Sequence, residues 1–364
     1  MTDPGGSTPS RRCSKWSLLF VEHVLRTRLA RKASRALESV AVKTWVIAQD
    51  ESSSSPPAYF LPNQLERVTG WVFSDGHPRF AMEGRTRTLA AATRGFLLKD
   101  VWLIDGALYK DDARSWLAPR HNWWWWPRVR VECEIDRGAV FCTPWGNKYF
   151  GHWLMDDCVT YSMARAEGDP VTTAQAVNIH TSGYEDWLGM KPLRLHNAFF
   201  RELVIFEDVG QNRHKHGRFR AMGQQLLSHV KSSPHPGVFI VRGSTGAERR
   251  LLHNEMEVAE HLRDRRGFRI LEPEKADVPT IVATCAGART VVGVEGSHLI
   301  HGILLLPPGG SVLTLHPANR FMPIYKHLTD RDHQHFGFVI GLPEGTGFRV
   351  DPVEVERTLD LFPA

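Results

Sequence analysis

The chain has 364 residues, 42% of them hydrophobic and 23% charged, with a net charge of +5. That length suits about two domains, and the balance of apolar and charged residues excludes a disordered, fibrous or disulfide-stapled chain. No apolar run approaches the roughly 20 residues of a membrane-spanning helix, no secretory leader opens the sequence, and the five cysteines form no C-x-x-C pair, so a reducing, cytoplasmic setting is expected.

Residues 1–45 form a basic arm, with nine Lys/Arg against Asp3, Glu22 and Glu38. The remainder is near neutral, which argues against a nucleic-acid binder, whose basic face would spread over the folded body. Residues 15–37 read as a helix, with Trp16, Leu19, Phe20, Val24 and Leu29 near one face. Two readings stand for it: peripheral contact with an anionic membrane surface, or an N-terminal helix packed on the body with a solvated basic face.

Residues 50–57, rich in Ser and Pro, read as a linker. Short strands are expected at 69–73, 96–103 and 129–135, with Asp105-Gly106 as a hairpin turn. Before the last of these come Trp123, Trp124, Trp125 and Trp126. Four adjacent indoles cannot share one core face, so some form a platform for sugar rings or bases, or else wedge into an interface. From Pro144 onward helices and strands alternate: a helix over 161–166, strands at 176–180 and 203–206, and an exposed basic loop at 212–218. Pro234-His235-Pro236-Gly237 marks a boundary. Beyond it, strands at 238–241, 269–271, 290–294 and 311–315 alternate with helices at 254–265, 278–288 and 297–305, which predicts a parallel, Rossmann-like sheet covered on both faces.

Three constellations carry chemistry. The run Val291 to His298 takes a hydrophobic strand into Gly293, Glu295, Gly296 and a helix start at Ser297. Unpaired N–H groups and a positive dipole end there suit a phosphate or diphosphate, although the run is neither G-x-G-x-x-G nor a Walker A sequence. Glycines at such a turn are equally ordinary punctuation. Arg242 and the basic run to Arg250 follow the preceding strand; arginines at that sheet edge can fork onto diphosphate oxygens, or form a solvated loop. His152 and Asp156 stand at i and i+4, on one helix face, as a general base or a structural pair. Asp330-Arg331-Asp332, followed by His333 and His335, is a D-x-D string of the kind that holds Mg²⁺ or Mn²⁺, but short strings arise by chance and no metal or other cofactor is expected.

Taken together, three stretches resemble glycosyltransferase family 61. Gly151-His152-Trp153-Leu154-Met155-Asp156 is similar to the family's G-H-F-x-x-D segment. Val241-Arg242 and Arg250-Leu251-Leu252-His253-Asn254-Glu255 are similar to its S-R and R-x-x-x-N-E segment. Residues 291–299 with Leu305-Leu306-Pro307-Pro308-Gly309 are similar to its V-V-G-x-H-G-A-x-L and F-L-P-P-G segment. The chain departs from that pattern in placing Glu295-Gly296-Ser297 where many members have His-Gly-Ala, and Val241 where they have Ser.

The resemblance implies an α/β, GT-B-like fold: two Rossmann-like domains facing across a cleft, here with an N-terminal helical arm. The expected parts are the arm at 1–45, an acceptor-side domain at 58–233, a nucleotide-sugar domain at 234–320, and a tail at 321–364 returning to the first domain. It also implies inverting, metal-independent transfer of a sugar from a nucleotide-sugar donor to a saccharide or glycoconjugate acceptor, in bacterial surface polysaccharide synthesis. On that reading Asp156 and His152 are catalytic. Arg242, Arg250, Asn254, Glu295, Gly296, Ser297 and His298 bind the donor, and Trp123, Trp124 and Trp153 meet the acceptor. The alternative is a non-catalytic carbohydrate or nucleotide-sugar binding protein.

Overall fold

In the computed structural model, residues 16–17, 34–72, 78–118, 129–131, 133–173, 179–243, 250–331 and 333–363 are described. The chain is mixed α/β and divides into two compact units, one built from residues 1–48, 93–177 and 190–208, the other from 49–92, 178–189 and 209–364.

The first unit is built on an eight-stranded mixed sheet. Cys133–Val140 pairs in parallel with both Asp169–Thr172 and Asn197–Glu207. On the far side, Thr93–Ile104 runs antiparallel to Asn197–Glu207. It turns at Asp105-Gly106, where φ is 48° and 72°, into Ala107–Lys110. The expected strand 96–103 and its hairpin are therefore present, whereas the wholly parallel Rossmann-like pattern is not. Asp169–Thr172 also pairs in parallel with Leu193–Arg194, and the helices Cys158–Glu167 and Thr181–Trp187 lie in the connections that such parallel neighbours need. The core beneath this sheet gathers Leu98, Val101, Leu103, Ile135, Val171 and Phe200.

The second unit carries a six-stranded sheet in the order Arg269–Leu271, Val238–Ile240, Thr290–Val294, Ser311–Pro317, His335–Glu344, Gly347–Arg349. The first five are parallel and only the last is antiparallel. All seven residues of Ser311–Pro317 are buried, as expected of a strand covered on both faces. On one face Val258, Ala259 and Leu262 of the helix Glu255–Arg266 and Val355 of Pro352–Leu359 join Phe239, Val292, Leu313 and Val339. On the other face the short helix Ile300–Ile303 packs closely enough that Gly302 meets Val291 and Ile240. The parallel strands, numbered in chain order, read 2-1-3-4-5, a doubly wound order.

Several sequence expectations need correction. Of the helix expected over 15–37, Trp16–Ser17 instead pairs antiparallel with Val129–Arg130 and Leu37 opens a single 3₁₀ turn; residues 18–33 lie outside the described residues. The linker at 50–57 contains a strand, Glu51–Ser54, paired with Arg87–Ala90 through backbone bonds that composition does not reveal. Among the described residues 69–72, Trp71 forms an isolated bridge to Phe321 in place of a strand. The strand expected at 176–180 falls largely outside the described residues, and His180 instead precedes the helix Thr181–Trp187. The basic run 212–218 is no loop: the Asn212 side chain accepts from the Lys215 N–H and caps the helix Arg213–Leu227, whose Phe219, Met222 and Leu226 form its buried stripe.

Candidate functional site

In the second unit Val238–Ile240 lies between Arg269–Leu271 and Thr290–Val294. The connections from these two central strands leave to opposite sides, so their carboxyl ends form the switch-point crevice where open α/β sheets bind ligands. Arg242 follows the first strand and Glu295 the second. Arg242 Nη1 donates to the Glu295 carbonyl at 3.2 Å, and Arg250 Nη1 donates to the same oxygen at 2.5 Å. The Glu295 carboxylate pairs with Arg250 and, at 3.2 Å, with Arg320. Behind them the Glu255 carboxylate accepts from the backbone N–H groups of Arg242 and Gly243, at 2.8 and 2.9 Å, and fixes the turn that aims Arg242.

Gly296 is extended, with φ 164°. Its glycine identity is required by proximity: a Cβ there would lie 2.0 Å from the Arg242 guanidinium and 3.0 Å from His298 Nδ1. Tyr325 donates to the Gly296 carbonyl at 2.6 Å. Three guanidinium groups against the two carboxylates of Glu295 and Glu255 leave this crevice cationic. Burial, reinforced by the charge of Arg250, brings Arg242 down to about 10, so it remains protonated at neutral pH. Burial and the charges of Arg242, His301 and Arg250 hold His298 far below the usual histidine range, as a neutral imidazole. Among the described residues, Arg250 Nε and His298 Nε2 are buried without a hydrogen-bond partner. A dry, cationic crevice with forked donors suits phosphate oxygens.

The structure thus brings Arg242, Arg250, Glu295, Gly296, Ser297 and His298 together. The helix expected over 297–305 is one 3₁₀ turn, Ser297–Leu299, running into the four-residue Ile300–Ile303. So short an element has little dipole, and the positive character comes from the arginines. Glu295 is buried, and its carboxylate is engaged as their counter-ion. Asn254 is 4% exposed, and its amide bonds the Val350 backbone through both ends, so it braces a loop. Residues 244–249, Arg249 included, lie outside the described residues. Arg320, Glu255 and Tyr325 are additions. Arg320 was findable, since it follows the next parallel strand, Ser311–Pro317, as Arg242 follows Val238–Ile240.

In the first unit the strand Cys133–Val140 leads through a loop to Phe150–His152. The chain then widens into a π turn, Trp153–Asp157, before Cys158–Glu167. Such widened turns recur at functional sites. His152 Nδ1 lies 2.8 Å from Asp156 Oδ2, with side chains 27% and 19% exposed. The i, i+4 pair is therefore formed and open to solvent. Asp157, one residue on, is fully buried and accepts from the Thr143 N–H and hydroxyl at 3.1 and 2.9 Å. Trp153 is 1% exposed and packs on Phe150, so it has no face to offer an acceptor. Trp123 and Trp124 lie outside the described residues. The exposed indole beside His152 is Trp145, which sequence reading passed over.

Of the D-x-D string, Asp332 lies outside the described residues, while the Asp330 carboxylate pairs with buried Lys326 and accepts from Ser55. A lysine in that position competes with any cation. His335 packs edge-on against Tyr59. No helix of the described residues is long and apolar enough to cross a membrane.

Fold and site together define a mixed α/β protein with an arginine-lined crevice at a doubly wound sheet's switch point and a histidine–carboxylate pair on its other unit. Residues 150–313 match the family model described as Glycosyltransferase 61, which bears out the resemblance read from the three motif stretches. The family indicates glycosyltransferase activity, with a donor and an acceptor as substrates. The matched residues include His152, Asp156 and the Arg242–Arg250–Glu295 cluster, and exclude Trp145 and Arg320. No curated protein matches the chain.

Proposed function

We propose that the protein is an inverting glycosyltransferase that uses a nucleoside-diphosphate sugar. The observation that carries this reading is the convergence of Arg242, Arg250 and Arg320 on Glu295 at the switch point. The donor diphosphate binds these guanidinium groups, and their charge stabilises the nucleoside diphosphate as it leaves. His298, neutral, hydrogen-bonds a ribose or sugar hydroxyl.

Proton transfer falls to the other unit. The Asp156 carboxylate accepts from Nδ1–H of His152 and so fixes the tautomer with Nε2 as the free base. Nε2 takes the proton of an acceptor hydroxyl as its oxygen bonds to the anomeric carbon. The bond from that carbon to the diphosphate breaks in the same step, inverting the configuration. The three guanidinium groups supply the charge that a divalent cation would otherwise bring, which supports a metal-independent reaction. Assembly of bacterial surface polysaccharide at the cytoplasmic face is the setting we propose.

A thermal-shift panel of UDP-, GDP-, dTDP- and ADP-sugars with EDTA present tests the reading. A ligand bound only by the native state raises apparent stability, by about 2.7 kcal/mol at a concentration 100 times its Kd. At least one of these sugars raises the midpoint and releases its nucleoside diphosphate on incubation with the protein. A flat panel rejects the assignment.

A further inference from the structure

The loop between Cys133–Val140 and Phe150–His152 is fixed from several sides. The Thr143 carbonyl accepts from Asn147 N–H at 3.0 Å, and its hydroxyl accepts from Gly146 N–H at 3.0 Å. The Asn147 amide donates to the Thr173 hydroxyl at 2.8 Å and to the Leu117 carbonyl. Buried Asp157 holds Thr143, and Gly146 lies so close that a Cβ there would come within 1.9 Å of its carboxylate. The Trp145 carbonyl accepts from Tyr149 N–H at 2.8 Å.

This rigid backbone nevertheless displays its largest apolar side chain. Trp145 is 59% exposed. Its indole stacks alongside Tyr149 with an interplanar angle of 14° and centroids 6.1 Å apart. The His152 ring lies 6.1 Å from Trp145 and 6.2 Å from Tyr149, and Lys148 covers the Tyr149 ring at 4.9 Å. Leaving an indole in water is unfavourable, and a loop fixed on so many sides does not expose one for want of order.

We propose that Trp145 and Tyr149 form an acceptor subsite that seats a pyranose ring. The inference rests on the glycosyltransferase reading and names the substrate class of its acceptor side. A pyranose with equatorial substituents turns one face of axial C–H bonds outward, an apolar disc matched to an indole, and keeps its hydroxyls on the rim. A ring seated on Trp145 brings rim hydroxyls alongside His152, where a proton is to be removed. A nucleotide fits this place less well, because its phosphates call for the guanidinium groups that the second unit supplies.

The test uses the full chain and three named probes: cellotetraose, xylotetraose and chitotetraose. Binding is read by ligand-observed saturation-transfer NMR and by tryptophan fluorescence titration. At least one tetrasaccharide binds the wild type. Trp145→Ala weakens it about tenfold, the scale of one lost aromatic stack, while Trp145→Phe, which keeps a ring, stays within about threefold. Affinity for UDP, GDP, dTDP and ADP is the same in all three proteins, which reports an intact fold. In turnover with a donor and that saccharide, Trp145→Ala raises acceptor KM and leaves donor KM unchanged. Equal tetrasaccharide affinity in wild type and Trp145→Ala, or no binding of any of the three to wild type, overturns the subsite. Loss of binding in Trp145→Ala from a protein that releases no nucleoside diphosphate from any nucleotide sugar keeps the subsite and removes the transferase reading instead.

Discussion

The arginine crevice and the His152 loop follow the same local plan and end in surfaces of opposite character. Each begins where a parallel strand gives out, at Val238–Ile240 and Thr290–Val294 in one unit and at Cys133–Val140 in the other. Each has a glycine where a charged group leaves no room for a Cβ: Gly296 beneath the Arg242 guanidinium, Gly146 against the Asp157 carboxylate. The crevice then closes over its charges, with Arg242 7% and Glu295 4% exposed, whereas the loop keeps His152, Asp156 and Trp145 open to water. On the proposed function, the contrast follows the chemistry of the two ligands. A diphosphate is gripped by charges kept dry, with an internal counter-ion so that they do not repel one another while the site is empty. A saccharide is neutral, so its site needs an aromatic face and one proton acceptor, both accessible.

If that division holds, substitutions in the two places fail in different assays. His152→Ala lowers kcat about a thousandfold while nucleoside-diphosphate affinity, measured by calorimetry, stays at the wild-type value; a parallel loss of nucleotide binding breaks the division. Arg250→Ala lowers nucleoside-diphosphate affinity about a hundredfold, the usual consequence of truncating one member of a buried charge cluster, and circular dichroism reports whether the fold survives.

Acid tests how dry the second unit is at His298 of the crevice, at His301, which meets the Tyr184 hydroxyl, and at His316 on the strand Ser311–Pro317. Burial holds His298 and His301 well below the usual histidine range and pushes His316 down to about 3. These groups are neutral when folded and protonate on unfolding once the pH is below about 6.5, so the unfolded state gains protons and stability falls as the pH drops. The loss is about 1.4 kcal/mol per pH unit for each histidine, and for His316 the window runs from about 6.5 to about 3. Urea midpoints at about pH 7.5, 6 and 5 measure it; a flat series would mean that these imidazoles are hydrated. The smallest effect belongs to Gly296→Ala. The added methyl pushes the Arg242 guanidinium aside and weakens nucleoside-diphosphate binding about tenfold, the value of one charge-assisted hydrogen bond. Donor titration of the purified variant checks it.

Much of this was legible in the sequence. Alternation of apolar runs with helical segments beyond residue 238 pointed to strands at 238–241, 269–271, 290–294 and 311–315, and the structure has them at 238–240, 269–271, 290–294 and 311–317, because strands buried on both faces are continuously apolar. The His152–Asp156 pair was legible because helical spacing alone puts i and i+4 together. What stayed hidden depends on tertiary context. The second unit takes residues from three stretches of chain, and composition does not show a chain returning. The Ser-rich segment 51–54 pairs through its backbone, to which side-chain patterns are blind. Whether a tryptophan is displayed or buried is decided by the loop that holds it: Trp153 and Trp145 are equally suited to sugar in sequence, yet one is core and the other open. The role of Glu295 was hidden for the same reason, since a carboxylate near a phosphate site reads as a ligand group until its arginine partners are located.

The decisive measurement is calorimetric titration of UDP, GDP, dTDP and ADP into wild type, Arg250→Ala, Arg320→Ala and Asp156→Asn. The account predicts that at least one nucleotide binds the wild type, that both arginine variants bind it at least about tenfold more weakly, and that Asp156→Asn binds it unchanged. Equal affinity across all four proteins, or no binding to any, would contradict it.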